Sequence, residues 1–185
     1  KRTSLYARLG LAWAGFYLIL GVLQHHAALD MARNLAAGRG HAPIRFEVKP
    51  SFGNSVVWKT IYETADNLYV DAVRAGVMPR VYPGSSVAKF DLARDLPWLQ
   101  PGSQQARDIE RFRWFSKGYI ALDPMHPNRI IDIRYSILPN EVAGLWSIEV
   151  SGTASQTQHV LFRTHRQNAP ESLGRLWQMM LGGGR

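Results

Sequence analysis

The sequence contains no cysteine in 185 residues, which excludes disulfides, thiolate metal sites, iron–sulfur clusters and cysteine nucleophiles. It also has no run of four or more Lys and Arg, although the formal charge is +8 and the pI is near 10.1. Scattered charge of this kind supplies neither a basic arm nor a polybasic anchor, so nucleic acid is not an expected partner and the excess suits a solvated face near lipid headgroups. A Gly-x-Ser-x-Gly elbow, a Gly-rich phosphate loop and a Ser-x-x-Lys motif with its partners are all missing, which removes the motif-borne nucleophiles and nucleotide sites. Finally, Asp, Glu, Lys and Arg are absent from Leu9 to Leu29.

That last gap leads to what is present. Leu9–Leu23 is apolar or small at every position. A helix needs about 20 residues to cross a bilayer core, so the stretch reaches that length only by taking in Gln24, His25 and His26. A signal peptide is the rival reading, because Lys1, Arg2 and Arg8 precede the apolar run. The chain does not start with Met, residues 27–40 continue in helical composition, and residues 24–27 make a poor cleavage signal. We therefore read residues 1–40 as a final transmembrane helix with an aqueous extension, stopped by Gly38 and Gly40, and residues 41–185 as one soluble α+β domain. Basic residues on both sides (Lys1, Arg2 and Arg8 before; Arg33, Arg39 and Arg45 after) leave the side of the membrane undecided.

Beyond Pro43 the period shortens to that of strands. The pattern predicts strands at Ile44–Val48, Val56–Glu63 and Asn67–Ala75, the last two joined by a hairpin turn at residues 64–67. Short strands at Arg80–Tyr82 and Ser86–Phe90 are expected around a Pro83-Gly84 turn, with Ser85 and Ser86 as turn residues. A helix follows over Ser103–Ser116, with Ser103 as N-cap, Ala106, Ile109, Phe112 and Phe115 on its apolar stripe and Gly118 as its stop. Further strands are expected at Tyr119–Asp123, Arg129–Ser136, Leu145–Ser151 and His159–Thr164, before a closing amphipathic helix at Glu171–Leu181. The expected fold is a mainly antiparallel sheet with one or two packed helices.

Chemistry is sparse in this pattern. His26 and Asp30 share a helix face beside His25, but two ligands do not complete a divalent-metal site; polar residues marking the end of an apolar helix are the simpler account. His159 and His165 lie too far apart along one strand to share an ion, and His126 falls in a turn-like segment. Asp132 and Glu149 on neighbouring strands could form an acid/base couple. The structural account pairs Asp132 with Arg134 and adds Arg111 and Arg113 from the preceding helix, the four together fixing helix on sheet. Residues 111–115 interleave Arg111 and Arg113 with Phe112, Trp114 and Phe115, which suits headgroups or nucleic acid, yet helical geometry reduces the run to an amphipathic helix with snorkelling arginines.

Taken in order, residues 50–54 (PSFGN), Trp58, the Tyr69-x-Asp71 strand, the run from Arg111 to Tyr119 and the run from Asp132 to Asn140 resemble the C-terminal region of the bacterial membrane-bound metal-dependent hydrolase family, whose members are also described as LexA-binding, inner-membrane-associated hydrolases. The likeness spans nearly the whole chain. It implies a bacterial inner-membrane location and, upstream in the same protein, further membrane helices bearing a divalent metal in Thr-His and His-Arg-x-x-Thr-His motifs. None of those motifs occurs here, and Thr164-His165 stands alone in the distal domain. The expectation is thus a non-catalytic accessory domain with no cofactor of its own. Its expected partners are the lipid bilayer, the upstream helices and a protein partner. A stand-alone membrane-anchored module that binds protein or lipid is the other reading.

Overall fold

The chain is described by a computed structural model covering residues 2–166 and 169–183; Lys1 of the leading basic group lies outside the described residues. A single helix, α1 (Arg2–Gly38), runs 37 residues without a break. Its first half is bare: Leu9, Leu11, Trp13, Phe16, Leu18, Ile19 and Leu23 are all exposed. Its second half is not, because Ala28, Ala32 and Ala36 recur every four residues on one face and are buried. Small side chains on that face let the helix lie directly on a sheet, with Ala28 packed among Trp58, Val73 and Ala75.

That sheet is the antiparallel meander β1 (Arg45–Pro50), β2 (Val57–Glu63), β3 (Asn67–Arg74) and β4 (Arg80–Ala88). A second meander follows, made of β5 (Ile120–Asp123), β6 (His126–Asp132), β7 (Trp146–Glu149) and β8 (Leu161–Thr164). The two sheets meet through Ile61, Leu68 and Val70 on one side and Tyr119, Ala121, Ile131 and Ile133 on the other. Every residue of β2 is buried, since α1 covers one face and the second sheet the other. Alternation then sends Trp58, Thr60 and Tyr62 toward α1 and Val57, Lys59 and Ile61 toward the second sheet.

The far face of the second sheet is covered by α3 (Gln104–Phe115), through Ala106, Ile109 and Phe112 against Ile120, Ile130 and Ile148. Ser103 caps this helix, its side chain accepting from the N–H of Ala106 at 3.2 Å. Gly118 at φ 79° turns the chain out of it. The short α2 (Leu92–Asp95) precedes it, and α4 (Ala169–Met180) closes one end of the sandwich with Leu176 and Met179 against Val57, Ala72 and Tyr82. The α+β class and the antiparallel pairing are as expected. The strands nevertheless divide into two sheets, because residues 89–119 carry α2 and α3 between β4 and β5 and no ladder joins those strands.

Other expectations give way. Pro83-Gly84 is not a turn: β4 runs through it as one strand, and Ser85 and Ser86 pair within the ladder, Ser85 opposite Val70 and Ser86 opposite Tyr69. Gly84 is needed there for close approach, since a Cβ would sit 2.2 Å from the carbonyl oxygens of both Val70 and Asn140. The strand expected to reach Ser136 ends at Asp132, and residues 133–145 become a loop packed back onto the first sheet. Phe115 belongs to the helix but not to its buried stripe; at the last turn it is 53% exposed.

Candidate functional site

The sequence-derived candidates scatter over the structure. Asp132 and Arg134 form a buried pair, with Arg134 Nε 2.9 Å from Oδ1 and Nη2 2.6 Å from Oδ2. Arg134 also donates to the carbonyl of Phe115 at 3.0 Å, so the pair does tie the C-terminus of α3 to the sheet. Trp146 completes the carboxylate's shell with its indole N–H at 3.2 Å. Burial works against the charge on Arg134, and its hydrogen bonds to Asp132 outweigh that and hold its pKa above the ordinary value.

Arg111 and Arg113 take no part in this group. Arg111 is exposed beside Asp108, 3.7 Å away, and Arg113 pairs with Glu110 and donates to the carbonyl of Phe90. Neither makes a hydrogen bond or ion pair to Asp132, so the expected four-residue cluster reduces to two. The Asp132–Glu149 couple does not form either: Glu149 is held by Arg129 at 2.9 Å and Arg163 at 3.1 Å. Trp114 is 81% exposed.

The metal-like trio is not gathered into a metal site, although the rings of His25 and His26 stand edge-on with centroids 5.8 Å apart. Asp30 pairs with Arg33 at 3.0 Å, and the ring of His25 lies edge-on against Trp58, centroids 5.7 Å apart. Trp58 thus serves as the seat of α1 on the sheet. His159 caps Asp108 at 2.8 Å, His126 meets Asp123 at 3.2 Å, and His165 Nε2 lies 2.8 Å from the hydroxyl of Ser147. Among the described residues no cluster of three or more His, Asp or Glu is arranged to hold a metal ion.

Two clusters escaped the sequence reading. The first locks the end of α1. Arg39 clamps the buried carboxylate of Asp71 in a fork, at 2.7 and 2.8 Å, and reaches Tyr62 Oη at 3.1 Å. The hydrogen bonds to Asp71 raise the Arg39 pKa against its own burial. His41 Nδ1 meets the same Tyr62 hydroxyl at 2.8 Å, and the Tyr62 and Tyr69 rings stack at 4.8 Å. The N–H of Gly84 donates to Asp71 Oδ1 at 2.9 Å. Asp71 thus accepts three hydrogen bonds, which makes this a fastening.

The second cluster has free chemistry. Lys59 is only 4% exposed and projects between the sheets, where its ammonium nitrogen donates to Ser136 Oγ at 2.8 Å and to the carbonyl of Glu141 at 2.9 Å. Among the described residues no carboxylate lies within ion-pair distance of it. Burial drives its pKa down to about 7, a fall that the more distant Glu141 and Asp132 only partly oppose. Ser136, in turn, lines a pocket of about 190 Å³ whose walls include Glu141, Gly144, His165 and Ser172. Ile137 and Leu145 are shared with a neighbouring pocket of about 220 Å³, which is almost wholly apolar and extends to Phe52 and Leu173. A lysine in phase with Val57 and Ile61 on a buried strand was the available signal. Its partner Ser136 lies 77 residues away, beyond any local pattern.

Compared with protein-family models, curated proteins and solved structures, the chain matches none. Among the described residues the fold is that of an α+β protein in which two four-stranded antiparallel sheets are attached to one helix long and apolar enough to cross a membrane.

Proposed function

We propose that this chain is the membrane-proximal accessory domain of a bacterial inner-membrane, metal-dependent hydrolase. The observation that carries the anchoring part is the continuity of α1. Its exposed apolar half holds about the 20 residues a bilayer core requires, while its other half is a layer of the folded domain, seated by Ala28, Ala32 and Ala36 and fastened by Arg39 to Asp71. A domain built this way stands at a fixed height and orientation beside whatever the apolar half is embedded in. The hydrolase part rests on the resemblance of the blocks from Pro50 to Asn140. The divalent metal of such a hydrolase would belong to membrane helices upstream of this domain.

Two measurements test the reading. The chain expressed in bacteria is expected to resist alkaline extraction from inner membranes, and Leu18→Arg, which places a charge near the middle of the apolar half, is expected to release it. Recovery of the unaltered chain in the soluble fraction would end the anchoring argument. Purified in detergent, the chain is expected to carry no stoichiometric divalent metal. Metal bound by the chain together with metal-dependent hydrolysis would overturn the accessory role and return His25, His26 and Asp30 to consideration.

A stand-alone anchored binding module is a second reading with its own observation. A shallow groove of about 610 Å³ runs between α3 and β8, lined by Trp114, Phe115, Ile148 and Phe162 and rimmed by Arg111. Exposed aromatics beside a cation are the composition of a surface that docks protein or lipid.

A further inference from the structure

Lys59 and Ser136 are a buried lysine and a serine in hydrogen-bond contact at the edge of unfilled space, a setting shared in part by Ser147–His165 on the same pocket and by Asp108–His159 at the groove beside α3. Arg39–Asp71 and Arg134–Asp132 line neither the polar pocket nor its apolar neighbour and carry further hydrogen bonds, to Tyr62 and Gly84 in the first case and to Phe115 and Trp146 in the second. Ser136 lines the polar pocket, and its Oγ lies 2.8 Å from the Lys59 nitrogen. The lysine stem is packed between the sheets, and its second hydrogen bond, to the carbonyl of Glu141, holds the nitrogen in place. A serine that lines a pocket and a fixed, buried amine in hydrogen-bond contact with its hydroxyl meet the distance requirement for a nucleophile and its general base.

We propose that Ser136 is a nucleophile and Lys59 its general base, forming a metal-free acyl-transfer centre for esters with an apolar acyl group. The acyl preference comes from the adjoining apolar pocket, which meets the polar one at Ile137 and Leu145. This inference does not rest on the accessory-domain reading, since it concerns chemistry independent of any metal.

The steps balance without a co-reactant other than water. Ser136 Oγ–H, which at rest donates to the carbonyl of Leu138 at 2.5 Å, turns to the neutral Lys59 amine and transfers its proton as Oγ bonds to the ester carbonyl carbon. The tetrahedral adduct collapses, the bond to the leaving oxygen breaks, and the Lys59 ammonium returns that proton to the departing alcohol. A water molecule then gives a proton to Lys59 and attacks the acyl-serine. The carboxylic acid leaves as Ser136 Oγ regains its proton, and Lys59 is neutral again. The amine must be uncharged for the first step, and the surroundings favour that form: the nearest acidic groups, Glu141 and Asp132, are engaged by Arg175 at 3.1 Å and by Arg134 at 2.6 Å. His165, on the pocket wall, is itself held toward its neutral form by burial and by Arg129.

The test uses the whole chain in detergent micelles with EDTA present. A fluorophosphonate is expected to add once, at Ser136, by intact mass and peptide mapping, and 4-nitrophenyl butyrate to be hydrolysed with a rate that rises through a limb centred near pH 7. Ser136→Ala and Lys59→Met are each expected to lower the ester rate by about 100-fold or more and to abolish the labelling, with circular dichroism confirming that both variants fold. Folded, unaltered protein that takes up no fluorophosphonate at Ser136 would overturn the proposal. So would ester hydrolysis that survives Ser136→Ala. Hydrolysis abolished by EDTA and unaffected by Ser136→Ala would overturn it too, and would count separately against the accessory-domain reading.

Discussion

Replacing Lys59 with methionine is expected to make the protein more stable at acid pH and less stable at alkaline pH. The folded protein holds the Lys59 amine at about 7, against an ordinary 10.5. Between those two values the unfolded chain binds the extra proton, so stability climbs with pH across that window and is lowest below pH 7. The gap corresponds to about 5 kcal/mol, the cost of keeping the ammonium charged between the sheets at low pH. Methionine fills a similar volume without that cost. It also removes the donor to Ser136 Oγ and to the carbonyl of Glu141, together worth about 2–3 kcal/mol. The net expectation is a gain of about 2 kcal/mol at pH 6 and a loss of similar size above pH 10. Urea unfolding in detergent, followed by circular dichroism at pH 6, 8 and 10, would measure it. Parallel stability profiles for the two proteins would refute the argument, because they would mean that Lys59 does not discharge on folding.

Two further substitutions probe the frame around that site. Arg39→Ala leaves the Asp71 carboxylate buried with its fork unmatched and should cost about 3 kcal/mol, with the loss shrinking when Asp71→Asn is added; equal losses with and without the second change would show the pair is not coupled. Gly84→Ala drives a methyl group into the carbonyls of Val70 and Asn140 and should cost about 3 kcal/mol or prevent folding, whereas a thermal midpoint unchanged within a degree or two would mean the two segments separate freely.

Individual strands and the Ser103-capped helix were legible because their signals are local: alternation over Ile44–Val48, turn residues between β2 and β3, and a hydroxyl that can reach the N–H three residues on. Gly38 and Gly40 likewise marked the end of α1. The division into two sheets was hidden, since strand partnership depends on what residues 89–119 do in space. Pro83-Gly84 misled because a turn and a close backbone approach call for the same small residue. The candidate site was the least legible part. Lys59 in phase with Val57 and Ile61 was a signal the sequence reading passed over, and only the fold of residues 133–145 brings Ser136 to it. Arg39 and Asp71, likewise, are joined across 32 residues.

The unbroken α1 has a mechanical consequence. Each residue of a helix advances along its axis by about 1.5 Å and turns about it by about 100°, so inserting one residue between Leu23 and Ala28 would swing the whole sandwich by about 100° around the axis, a little over a quarter of a revolution. A tilt of about 10° in the apolar half would sweep a point 30 Å along the shaft through about 5 Å. Because the joint at Arg39 and Asp71 is a clamp and not a hinge, the sheets and the pocket beneath Ser136 would follow such a movement as one body. With α1 unbroken, any rotation or tilt imposed on its apolar end would be read as displacement at the far end of the sheets.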